Sequence, residues 1–145
     1  MMIPARPLSS LGKEQAKLAA HTLKMFGVVL NTIISSPLLR AKQTASIVKE
    51  ELHVNEFMIT EYLIPGADHR QIISQLNTLG KNSVLLVGHE PHLSRLISVL
   101  ISGSQTSEVE MKKGGIALVE SLSPIEPGKC VLHWLLGPQQ MKHVK

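Results

Sequence analysis

A chain of 145 residues, 43% of them hydrophobic, fits one soluble globular domain spanning residues 1–145. Its formal charge of +4 and calculated pI near 9.4 favour encounter with anionic partners, but no dense basic run with interleaved aromatics marks a nucleic-acid groove. No apolar run approaches the roughly 20 residues of a membrane span, so neither nucleic acid nor membrane is expected as a partner. Aromatics are only 3% of the chain, so the core must be built from Leu, Ile, Val and Ala, which suits helices packed on a parallel sheet. The single cysteine, Cys130, lies in an apolar run and reads as a buried, inert thiol. With no apolar core in residues 1–8 to suggest a signal peptide, a reducing, cytoplasmic setting is expected.

A first helix is expected to start after Ser9 or Ser10 and to end at Gly27, suited to the left-handed position that closes a helix. Leu11, Leu18, Ala19, Thr22, Leu23 and Phe26 fall on one face at helical spacing. Residues 31–34 read as a strand, Ser36 as the cap of a second helix and Pro37 as its first residue, where a fixed φ and a missing N–H do no harm. That helix runs to about Leu52, with Leu38, Ala41, Ala45, Val48 and Leu52 inward and Arg40 and Thr44 off the stripe. A short strand near 57–59, a turn at Pro65 and Gly66 and a helix carrying Ile72, Ile73, Leu76 and Leu79 to Gly80 come next.

Residues 83–87 form a continuous apolar run, the signature of a strand buried on both faces. After Pro91, Leu93, Leu96, Ile97, Leu100 and Ile101 follow the helical i, i+3, i+4, i+7, i+8 pattern. Residues 102–115 are polar and glycine-bearing, a loop; 116–121 and 130–136 read as two antiparallel strands joined through 124–128. Alternating strands and helices on short connections predict an α/β three-layer sandwich, a mostly parallel sheet with helices on both faces.

Two strand–turn–helix units carry cations at the turn. A positive charge at Arg40, in a first helical turn, opposes the macrodipole and makes sense if an anion lies between it and the exposed N–H groups. His89 follows the buried strand at its carboxyl end, the edge where open α/β sheets bind ligands. His89 and His92 are three apart, but no third ligand stands at a recognisable zinc spacing, and His92 reads as a surface residue of the first turn.

The segments SSPLLRAKQTA and VGHEP, with RPLSSLGKEQA, EYLIPGAD and HWLLGPQQMK in the right order, resemble the histidine phosphatase superfamily, and within it the compact phosphohistidine phosphatases. The resemblance runs from Arg6 to Lys142. It implies that Arg40 grips a phosphoryl group, that His89 in protonated form donates to a phosphoryl oxygen, and that Ser36 adds a hydroxyl or backbone donor. Glu61 matches a carboxylate near the family's site, either a proton donor or an exposed loop glutamate. Neither metal nor other cofactor is implied, since cationic side chains take the metal's part. The implied partner is a phosphorylated protein, because the chain has no room for the cap with which larger relatives enclose small metabolites.

The family opens with a central strand ending in Arg-His-Gly, whose histidine is the nucleophile. Here residues 1–5 lead straight into Arg6, and none of the seven histidines follows an arginine and precedes a glycine. The resemblance therefore implies the family's scaffold with its first strand missing, a gap between strands that should pair, and no turnover. Three readings follow: a phosphohistidine phosphatase whose start lies further upstream, a pseudophosphatase that binds phosphate without hydrolysing it, or a chain in which His89 or His92 takes over the nucleophile's role.

Overall fold

A computed structural model describes residues 8–106 and 109–144; Arg6 and the stretch before it lie outside the described residues. The elements in order are α1 (Ser10–Met25), β1 (Thr32–Ser35), α2 (Leu39–Leu52), β2 (Glu56–Ile59), a 3₁₀ turn (Glu61–Leu63), α3 (His69–Leu79), β3 (Val84–Val87), α4 (His92–Ser102), β4 (Ile116–Glu120), β5 (Val131–Leu136) and α5 (Pro138–Met141).

The layering follows from two adjacent isoleucines. A strand sends successive side chains to opposite faces, and Ile33 and Ile34, both 0% exposed, seed separate cores. Ile33 packs with Ala20, Ala41, Ala45, Val48 and Val54, from α1, α2 and the loop after it, along with Val87. Ile34 packs with Leu63, Ile72, Ile73, Leu96 and Val99 from the other side. Helices α1 and α2 thus cover one face of the sheet and α3 and α4 the other, the α/β sandwich the alternation predicts. β1 is central and parallel to both neighbours, Ile33 standing opposite Phe57 of β2 and Leu85 of β3.

Two details of α1 depart from its periodicity. Leu11 is 61% exposed and Phe26 45%, although both lie on the expected inner face. They sit in the first turn and at the C-cap, outside the buried run from Ala16 to Leu23, and the Phe26 ring meets Trp134 edge-on at 5.3 Å instead.

The sheet is divided. β2, β1 and β3 form one parallel sheet, and β4 and β5 a separate antiparallel pair with an irregularity between Leu118 and Val119. Among the described residues, the edge of β3 away from β1 has no strand partner. This corrects the expectation for 83–87: Val84, Leu85 and Leu86 are only half-buried, because an apolar strand becomes fully buried only when flanked on both edges. The hairpin is instead tied to α4, where Gly128 N–H donates to the Val99 and Leu100 carbonyls at 3.0 Å and Cys130 N–H to Leu100 at 3.0 Å. Cys130 itself is buried. Helix α5 was not foreseen; Pro138 opens it and Met141, 0% exposed, anchors it. Among the described residues no helix is long and apolar enough to cross a membrane.

Candidate active site

Because β1 and β3 run parallel, their carboxyl ends reach the same edge, and the residues that leave them meet there. Ser36 N–H donates to the Val87 carbonyl at 2.9 Å, extending the ladder one step beyond the strands. Two residues later in the other chain segment, the His89 ring reaches back: Nε2 lies 2.9 Å from Ser36 Oγ. Ser36 is 0% exposed. Its Oγ also accepts from Leu38 N–H at 3.1 Å, and its carbonyl accepts from the Ser35 hydroxyl at 2.8 Å. The serine is therefore held from three sides, its hydroxyl already engaged by Leu38 N–H and the His89 ring.

The same bond moves the start of α2. Ser36 does not cap the helix and Pro37 is not its first residue; by capturing Leu38 N–H the hydroxyl forms a local turn that keeps Leu38 extended (φ −72°, ψ 143°). The helix begins at Leu39, with no side-chain cap, and its first backbone bond runs from Lys42 N–H to Leu38 carbonyl at 3.0 Å. The N–H groups before Lys42 have no intrahelical acceptor, so the positive end of the dipole faces outward at this edge. Arg40 is the second residue of α2 and is exposed. Among the described residues it has no ion pair; the alternative of pairing with Glu50 or Glu51 is not found. Uncapped N–H groups at the start of a helix that carries an arginine in its first turn are an arrangement able to receive a tetrahedral anion.

His89 is half-buried, and burial lowers its pKa below the ordinary histidine value, so the unliganded ring is neutral at neutral pH. Neutral His89 accepts the Ser36 proton or donates from Nε2; a bound dianion would favour the imidazolium, which donates from both nitrogens.

Three further side chains near this turn were not assigned correctly, or at all, from sequence. His92 is not a surface residue: it opens α4 but is 3% exposed. Its ring stacks on that of His69, centroids 4.4 Å apart, and His69 is 4% exposed. Glu90 accepts from the Ser94 hydroxyl through one carboxylate oxygen, while the other is buried without a partner among the described residues; burial raises its pKa. Ser94 Oγ in turn accepts from Met111 N–H at 3.0 Å, fastening the loop after α4 to the His89 turn. Glu61 lies exposed in the 3₁₀ turn, with no bond that aims it at His89. Among the described residues no three His, Cys, Asp or Glu side chains form a metal-sized cluster. Two open grooves of 520 and 720 Å³ flank α3, lined by residues such as Arg70, Ser74 and Thr78, and neither includes Ser36, Arg40 or His89.

Comparison with known proteins points the same way. The family model described as histidine phosphatase superfamily (branch 1) matches residues 5–63. The phosphohistidine phosphatase SixA of Escherichia coli is 27% identical over 144 residues, covering 97% of this chain and 86% of that protein. An uncharacterized protein of Picosynechococcus sp. is 30% identical over 114 residues, 77% of this chain and 69% of that protein. Among solved structures, the protein histidine phosphatase SixA complexed with tungstate superposes with a TM-score of 0.81 at 27% identity, covering 93% of this chain and 86% of that one. A SixA-like structure from Nakamurella shares the fold, with a TM-score of 0.74 at 17% identity over 95% of this chain and 89% of that one.

Proposed function

Because this chain belongs to the histidine phosphatase superfamily, we propose that it holds the phosphoryl group of a phosphohistidine-bearing protein at the Ser36, Arg40 and His89 edge, without hydrolysing it unaided. The observation that carries this reading is the His89–Ser36 bond at 2.9 Å beside the uncapped, arginine-bearing start of α2. Arg40 supplies a planar fork for two phosphoryl oxygens, the α2 N–H groups supply further donors, and His89 donates to a third oxygen. Phosphoryl transfer asks mainly for such positioning and charge stabilisation.

Turnover needs one more group. In-line attack would form an N–P bond to a nucleophilic imidazole as the substrate's N–P bond breaks and its imidazole leaves with a proton. Water would then break the new N–P bond. His89 Nε2 is engaged with the Ser36 hydroxyl and His92 is buried, which argues against either as that nucleophile. The divided sheet favours supply by an added strand: among the described residues the edge of β3 away from β1 has no strand partner, so an extended segment could pair there. Cytoplasmic residence fits the single buried cysteine and is part of the proposal.

Calorimetric titration with inorganic phosphate tests the binding half of this reading. Saturable binding that weakens in Arg40→Ala is expected; a folded chain that binds no phosphate would overturn it.

A further inference from the structure

We propose that His69 and His92 form an uncharged positioning pair for His89, so that the anion site keeps its shape only while both rings are neutral. The anion readout below rests on the phosphate reading of the site; the pair itself does not.

The geometry uses the neutral form of each ring. His69 donates from Nε2 to the carbonyl of His92 at 3.2 Å, and its Nδ1 accepts from the Gln105 amide at 3.3 Å. His92 is hydrogen-bonded to the main chain at Tyr62, and its Nε2 is buried with no protein partner among the described residues. A proton on His69 must enter at Nδ1, against a donor. One on His92 must enter at Nε2, where nothing accepts from it. With the rings stacked at 4.4 Å, charging both sets two cations against each other in the interior.

The surrounding charges reinforce this. From α4, Arg95 disfavours a proton on either ring; from the turn before α4, His89 disfavours one on His92; at the start of α3, Asp68 alone favours one on His69. Burial is the largest influence on both, and both pKa values lie below the ordinary value of 6.5.

The pair joins three elements at the His89 turn: the 3₁₀ turn through Tyr62, the start of α3 through His69, and the start of α4 through His92. His89 is three residues before His92, and its carbonyl accepts from Leu93 N–H at 2.9 Å within that first turn. Separating the rings therefore displaces the backbone that carries His89. The sign for stability is fixed by the lowered pKa values. Below pH 6.5 the unfolded chain takes up protons that the folded pair refuses, so stability is complete above that pH and is lost as pH falls toward the folded values.

The test is the thermal midpoint and the sulfate affinity from pH 8 to 5 for the wild type, His92→Asn and His92→Leu. Sulfate stays a dianion over this range, so any pH dependence belongs to the protein. Asn keeps a donor near the Nδ1 position but no basic nitrogen; Leu removes both. The wild type should lose midpoint below about pH 6.5, and sulfate affinity should fall over the pH range in which the midpoint is lost. In His92→Asn the acid loss of midpoint should shrink by about a third or more, His69 and His89 keeping their shares, and the fall in affinity should move at least half a pH unit lower. His92→Leu should lower the midpoint at every pH. A folded His92→Asn whose midpoint runs parallel to the wild type across the range overturns the proposal. Should His92→Asn not fold, His69→Gln, which retains a donor for the His92 carbonyl, takes its place in the same comparison. If the wild type binds no sulfate at any pH, the phosphate reading fails, and the midpoint curves still decide the pair.

Discussion

Replacing Ser36 by alanine removes one oxygen that serves two partners at once. The Leu38 N–H at 3.1 Å and the His89 Nε2 at 2.9 Å both lose their hydrogen bond, at a position 0% exposed to water. At about 0.5–1.5 kcal/mol for each bond, Ser36→Ala should destabilise the domain by about 1–3 kcal/mol. For a chain of this size that corresponds to a fall of roughly 3–9 °C in the thermal midpoint. Release of the His89 ring should also weaken sulfate binding about fivefold, the equivalent of about 1 kcal/mol. Circular dichroism melts and calorimetric titration at pH 7 read the two effects separately. A variant with unchanged midpoint and unchanged affinity would refute the claim that Ser36 orients His89.

Arg40→Ala should weaken phosphate binding by about 10- to 100-fold, since a charge-assisted bond contributes about 1.5–3 kcal/mol. Because Arg40 is exposed, the variant's unfolding free energy should stay within about 0.5 kcal/mol of the wild type in urea titration. Ile33→Ala, at a site 0% exposed between α1 and α2, should cost about 2–5 kcal/mol in the same titration. His53 closes α2 with φ 54°, a conformation that suits glycine, so His53→Gly should raise stability by about 0.5–1 kcal/mol; a loss of stability would show that its side chain makes contacts that matter.

Local rules carried most of the fold. The apolar run of β1, the apolar stripes of α2 and α4 and the glycine that ends α3 are all set by residues within a few positions, and they stand close to where the pattern places them. The places of Arg40 and His89 in the fold were legible for the same reason: each follows an apolar strand at a turn. What local pattern could not supply was pairing across the chain. The Ser36–His89 bond spans 53 residues, and that long-range bond, together with the turn it shares with Leu38, turned an expected helix cap into an orienting group. The burial of His92 depends on a ring 23 positions earlier, which no helical wheel reveals. The half-exposure of β3 reflects a sheet that divides between β3 and β4, a property of strand order rather than of the sequence VLLV.

The central claim is that these residues hold a phosphoryl group but lack the nucleophile that would turn it over. The most direct test is release of inorganic phosphate from a phosphohistidine-bearing protein by two chains assayed side by side: the 145 residues alone, and the same residues preceded by a strand ending in Arg-His-Gly. No release by the first and release by the second is the expected result. Phosphate release by the 145 residues alone, abolished in His89→Ala, would contradict it.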